Sequence, residues 1–300
     1  TPLAHLGIWA KVDKAPYDHI LAAESQRLFV ERLPNREQDY WDACRAYCDV
    51  LYGRYLQTST KQICLDKTPA YALILPFMER VFPDAKYVVL TRHPAALFAS
   101  YANSFFNGDY CAAHQYNPIL ERYVPAIARF LRDTSVAHIH VRYEDLVTEP
   151  ETWMKRICET IGVPFEPEII RYGGKKKDQE PRQGLGDPLG VDRHDRPVTD
   201  SVEKWVAELS GDTEKREFLV KMISRLAPED LTTWGYPPEK LWEPLERAAG
   251  KRVKSASGQK RFYQLQRWLI VRLRAFARRN SVFRRLLHTV RLACDVVLRE

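Results

Sequence analysis

Apolar positions in the first sixty residues recur at helical spacing, with Tyr40, Cys44, Tyr47, Cys48, Leu51 and Tyr55 three or four residues apart. Pro34-Asn35 interrupts the pattern, and residues 3–12 read as a further helix. Beyond residue 60 the pattern changes. Three short runs, Ile63-Cys64-Leu65, Tyr87-Val88-Val89-Leu90 and His138-Ile139-His140-Val141, have the length and β-branched content of strands. Helices are predicted over 76–82, 94–106 and 119–131, and over 150–161, where Trp153, Met154, Ile157 and Ile161 share a face. Pro76 opens or kinks its helix, since an interior proline costs about 3 kcal/mol. Residues 172–197, dense in Gly, Pro and charge, read as a long loop of the kind that is usually functional or disordered. Helices resume over 201–209 and 214–226. Alternating strands and helices predict an α/β fold with a parallel central sheet flanked by helices.

A different pattern closes the chain. Phe262, Leu265, Leu269, Leu273 and Phe276 fall on one helical face, with Arg267, Arg274 and Arg278 roughly opposite. Phe283, Leu286, Val290 and Val297 repeat the design, with Arg284, Arg285 and Arg291 around them. Residues 251–300 hold 14 Lys and Arg against 2 Asp and Glu, so of a net charge of +7 the tail carries +12 and residues 1–250 carry 7 − 12 = −5. The chain is therefore divided into a body, 1–250, and a basic helical tail, 251–300. An acidic body does not fit a polyanion-binding domain, and no nucleic-acid partner is expected. The tail fits an anionic membrane surface or packing against the domain or a second subunit, with nucleic-acid binding a third and weaker reading, and the pattern leaves these open.

Composition changes this picture little: 45% hydrophobic and 28% charged residues over 300 positions describe an ordinary globular chain. The six cysteines form no Cys-x-x-Cys pair, which points to reduced thiols and no metal site. No signal peptide is visible and no apolar run approaches the ~18 residues of a membrane span. The expected setting is cytoplasmic, with the tail offering peripheral membrane contact.

Candidate chemistry gathers at the carboxyl ends of the predicted strands, the edge where parallel α/β sheets bind ligands. Leu90-Thr91-Arg92-His93-Pro94 runs a strand directly into a proline-opened helix bearing Ser100. A helix N-terminus there offers N–H groups to an anion, and Arg92 adds a fork of donors suited to phosphate. Asp66-Lys67-Thr68-Pro69 puts a cation after the first run, and Arg142-Tyr143-Glu144-Asp145 ends the third.

From about residue 64 to 170 the chain resembles the sulfotransferase family. Arg92-His93-Pro94 through Ser100-Tyr101 resembles that family's 3′-phosphate motif, in which an Arg and a Ser eight residues later hold the 3′-phosphate of 3′-phosphoadenosine 5′-phosphosulfate (PAPS). Val141 to Leu146, followed by Ile161-Gly162-Val163-Pro164, is similar to the next block, whose Tyr, here Tyr143, lies by the adenine. Phe82-Pro83-Asp84-Ala85-Lys86 and Asp66-Lys67-Thr68-Pro69 resemble further elements in order. Arg182-Gln183-Gly184, followed by Gly186-Asp187, resembles the Arg-x-Gly element that closes over the 3′-phosphate, one residue short, and marks Arg182 and Gly184. The resemblance implies a P-loop-like architecture, PAPS as donor, and sulfuryl transfer to a hydroxyl or amine of a sugar, lipid or natural product. Lys67 is the candidate catalytic contact to the transferring sulfuryl or its bridging oxygen; the alternative is a surface lysine paired with Asp66.

The chain departs from the family pattern in two ways. Nothing in residues 1–59 resembles the Gly- and Thr/Ser-rich 5′-phosphosulfate loop, and Pro69 stands where cytosolic members carry their catalytic histidine. Acceptor deprotonation needs a base; Glu24 and His19 are the nearest candidates, each also readable as a helix-surface residue. The alternative function is a non-catalytic relative that binds nucleotide or a partner.

Overall fold

The computed structural model describes residues 19–58, 60–171 and 195–248, with side chains from residue 24. The expected helix over 3–12, the loop motif with Arg182 and Gly184, and the tail 251–300 lie outside the described residues. The chain divides into two compact units, Thr1–Ala85 and Lys86–Glu300.

The first unit is helical. Helix α1, His19–Val30, and helix α2, Glu37–Gln57, are separated at the expected Pro34-Asn35 break. Asn35 donates from its backbone and side chain to the Asp39 carboxylate, both at 2.9 Å, and Glu37 and Asp39 place negative charge in the first turn of α2, where the helix dipole favours it. A short 3-10 turn, Pro69–Leu73, leads to α3, Leu75–Val81. Arg45 of α2 donates to Val81 O at 2.7 Å and Arg80 O at 3.1 Å, satisfying carbonyls at the end of α3 that have no helical partner. Residues 63–65 are not a strand. A three-residue apolar run forms one only against a partner's hydrogen-bond ladder, and here Ile63 and Leu65 are exposed.

The second unit contains the sheet. Strands β1, Tyr87–Thr91, and β2, His138–Arg142, pair in parallel, Tyr87 opposite His138 and Thr91 opposite Arg142. Parallel neighbours need a long crossover, and it is made by α4 (Pro94–Phe106), α5 (Tyr110–Tyr116) and α6 (Ile119–Asp133). The two later runs and the helices at 94, 119 and 150 thus begin where hydrophobic patterning and proline placed them. On β1, Tyr87, Val89 and Thr91 are buried while Val88 and Leu90 face outward. After β2 come α7 (Tyr143–Thr148) and α8 (Pro150–Ile161), the latter closed by Gly162 at φ 78° with Val163 N–H donating to Cys158 O at 2.9 Å. A 3-10 turn, Thr199–Ser201, precedes α9 (Lys204–Gly211), α10 (Thr213–Ile223), α11 (Pro228–Thr233) and α12 (Glu243–Ala248). The helix expected from 201 therefore starts three residues later.

Helix α4 is the axis of this core. Ala95, Ala96, Phe98, Ala99, Ala102 and Phe106 are buried, and the alanines let α5, α9 and α10 approach closely. Phe98 packs against Tyr101, Tyr110 and Phe218 at ring-centroid distances of 6.2, 5.4 and 6.0 Å.

Candidate functional site

The site is built where β1 and β2 end side by side. Thr91, the last residue of β1, is buried, and its hydroxyl lies 2.8 Å from Nε2 of His140 on β2. Burial, with the Arg142 and His138 charges adding to it, pushes His140 below the ordinary histidine range. Arg92 follows. One of its guanidinium nitrogens donates to Ser201 O at 2.6 Å, and its carbon stands 4.4 Å from the centre of the Tyr143 ring. Arg92 Nε is buried, and among the described residues no acceptor reaches it.

His93 is 6% exposed, stacked on Trp205 at 4.2 Å, with Nε2 2.9 Å from Leu241 O. A carbonyl only accepts, so Nε2 carries the proton and Nδ1 is a bare acceptor. Burial drives its pKa down to about 4, the adjacent Arg92 charge contributing and the Leu241 carbonyl opposing. The ring is neutral at pH 7. The backbone N–H of His93 donates to Glu144 Oε1 at 3.1 Å, while Glu144 Oε2 accepts from the Tyr236 hydroxyl. Burial and the Glu144 charge raise the Tyr236 pKa, keeping the phenol protonated as donor.

Glu144 thus takes the His93 amide just ahead of α4, and Pro94, which opens the helix, has no N–H to offer.

Arg142 forms a fork on Asp145 at 2.6 and 2.7 Å, which raises its pKa further, and donates to Gly235 O at 3.2 Å. Gly235 has φ 96°, and a Cβ there would stand 2.9 Å from Arg142 Cδ, so both backbone conformation and space require glycine. Beside this network lies a cavity of about 390 Å³ lined by His93, Arg142, Glu144, Trp205, Tyr236 and Leu241, among others. A second cavity, about 870 Å³, lies between the junction of α7 with α8 and the segments around Arg171 and Arg196.

The structure thus brings Arg92 and Tyr143 together. Ser100 is exposed on α4, about 9 Å along the axis from its first residue at 1.5 Å per residue. Lys67, in the first unit, is exposed and precedes the 3-10 turn; its neighbour Asp66 accepts hydroxyl hydrogen bonds from Tyr52 at 2.6 Å and Tyr71 at 2.8 Å. Glu24 is exposed and hydrogen-bonded to Arg27 at 2.6 and 3.0 Å, which holds its carboxyl below the usual range and makes it a poorer base. His19 opens α1, and its side chain lies outside the described residues. Among the described residues, no group of three His, Cys, Asp or Glu could hold a metal ion, and no helix is long and apolar enough to cross a membrane. Sequence reasoning missed Trp234, Gly235 and Tyr236; the only signal was a glycine just past a helix, which marks a cap and does not name its target.

The profile of the family described as "Sulfotransferase family" matches residues 7–167, more than half of the chain. The chain belongs to the sulfotransferase family. Its similar relatives include nodulation protein NoeE of Sinorhizobium fredii (strain NBRC 101917 / NGR234), 26% identical over 189 residues that cover 55% of this sulfotransferase-family chain and 44% of NoeE. The protein-tyrosine sulfotransferase of Drosophila melanogaster is 23% identical over 234 residues, 73% of this chain and 43% of its own. The chain thus spans under half the length of these curated relatives. Among solved structures, the sulfotransferase domain from the curacin biosynthetic pathway is 21% identical with a TM-score of 0.40, covering 59% of this chain and 67% of its own. The sulfotransferase domain of the Synechococcus PCC 7002 olefin synthase is 24% identical with a TM-score of 0.42, covering 59% and 64%.

Proposed function

We propose that this family member binds 3′-phosphoadenosine 5′-phosphosulfate and transfers its sulfuryl group to a hydroxyl or amine. Arg92 and Ser100 hold the 3′-phosphate, Tyr143 lies against the adenosine side, and Arg182 and Gly184 belong to the loop that covers it. Lys67 contacts the transferring group. The observation that carries this reading is Arg92 itself: a cation at a strand exit, oriented by the Tyr143 ring and the Ser201 carbonyl, its buried Nε without a hydrogen-bond partner among the described residues. In the reaction the S–O bond to the donor's 5′-phosphate breaks and a new bond forms from sulfur to the acceptor oxygen or nitrogen. The acceptor proton passes to a base, and adenosine 3′,5′-bisphosphate leaves. The protein's task in such a transfer is alignment and stabilisation of charge on the transferring oxygens. The catalytic domain is assigned to residues 1–250, and the basic tail, 251–300, to contact with an anionic membrane surface or a second subunit.

Arg92→Ala is expected to weaken adenosine 3′,5′-bisphosphate binding by about 2 kcal/mol, roughly thirtyfold, the size of a charge-assisted bond lost. Titration calorimetry on the full chain reads this directly, and equal affinities in the two proteins would refute the phosphate assignment. Bisphosphate binding without turnover of labelled donor, across acceptor hydroxyls and amines, would favour a non-catalytic binding protein.

A further inference from the structure

We infer that Trp234 and Tyr236 are positioning residues for Arg92, acting together on the single peptide group that joins Arg92 to His93. A trans peptide is planar, with its C=O and N–H pointing in opposite directions, so fixing both ends fixes the plane. The Trp234 indole N–H donates to Arg92 O at 2.9 Å, and Trp234 is 2% exposed. On the other side, the His93 N–H donates to Glu144 Oε1 at 3.1 Å, and Tyr236 holds that carboxylate through its other oxygen. Two residues separated by one glycine therefore act on opposite edges of the same peptide, Trp234 directly and Tyr236 through Glu144.

The grip sets ψ of Arg92 and φ of His93, and with them the direction in which the Arg92 side chain leaves β1. Gly235 makes the grip possible, because its φ of 96° turns the chain between the two aromatic residues, and its carbonyl accepts from Arg142 at 3.2 Å. Further along the side chain, Ser201 O and the Tyr143 ring hold the guanidinium. Arg92 is thus preorganised by a segment more than a hundred residues away in sequence, and the ordering entropy of a long side chain is met in folding rather than on binding.

The inference rests on the phosphate reading of Arg92, and its test separates the two. Trp234→Phe keeps the ring and removes only the N–H. It is expected to weaken adenosine 3′,5′-bisphosphate about tenfold, the worth of one hydrogen bond. Affinity for adenosine 5′-phosphate, which lacks the 3′-phosphate, should stay unchanged, as a merely structural role would not allow. Tyr236→Phe should act in the same sense, and carries the test alone if Trp234→Phe does not fold. Equal loss for both nucleotides, or no loss for either while Arg92→Ala still weakens the bisphosphate, overturns the positioning role and leaves the phosphate reading standing. Indifference of the bisphosphate to Arg92→Ala, or no binding by the unaltered chain, overturns both.

Discussion

Phe98→Ala is expected to destabilise the second unit by about 4 kcal/mol, the upper range for deleting a buried aromatic ring. Phe98 is fully buried on α4, and its ring meets Tyr101 and Tyr110 edge-on and Phe218 at a tilt, so three neighbours from three helices lose their common contact. The alanines flanking it on α4 have no rotamers with which to fill the space, and the cavity stays open. Urea denaturation followed by tryptophan fluorescence reports this unit through Trp205, Trp234 and Trp242. A midpoint that moves by less than 1 kcal/mol equivalent, at unchanged slope, would show that the α4 core is not packed as described.

Acidification is the second large effect. His93 has a folded pKa of about 4 against an ordinary 6.5, so between these values the unfolded chain binds a proton that the folded chain refuses. Stability is therefore fully present above pH 6.5 and is lost as pH falls toward 4. At 1.36 kcal/mol per unit the loss is at most about 3 kcal/mol, most of it gone by pH 4.5. His140, also lowered, adds in the same direction. His93→Gln keeps an N–H that can reach toward Leu241 O and removes the titration, so its stability should vary less steeply between pH 7 and 4.5 by up to one proton. Parallel pH profiles for the two proteins would show that His93 takes up its proton without unfolding anything.

These two residues sit in one motif and show what a linear sequence carries. Local rules located the motif: Leu90-Thr91 had strand composition, Pro94 opened a helix, and the helix ran to residue 106 as its spacing required. Arg92 was legible as a cation between them. His93 was not, because its neutral state comes from burial against Trp205 and other residues more than a hundred positions downstream, and desolvation has no local signature. The run at residues 63–65 failed for a related reason. A helix closes its hydrogen bonds within its own segment, but a strand needs a partner, and none stands there among the described residues.

What the sequence by itself determined were the features set by short-range physics: the breaks at Pro34 and Gly162, the proline-opened helices, the two strands that found each other, and the spacing of Arg92 and Ser100 through which the family could be seen. What only the tertiary structure decided is how those features are used. The carboxylate of Glu144 takes the His93 amide ahead of α4, Tyr143 lies under Arg92, and Trp234 and Tyr236 pin the peptide beneath it. Each of these is a hydrogen bond or ring contact across 51 to 142 residues, formed because folding brings the end of a parallel sheet against a distant helix cap. Spacing along a chain encodes direction over a few residues, whereas burial and partner choice depend on the whole packed unit.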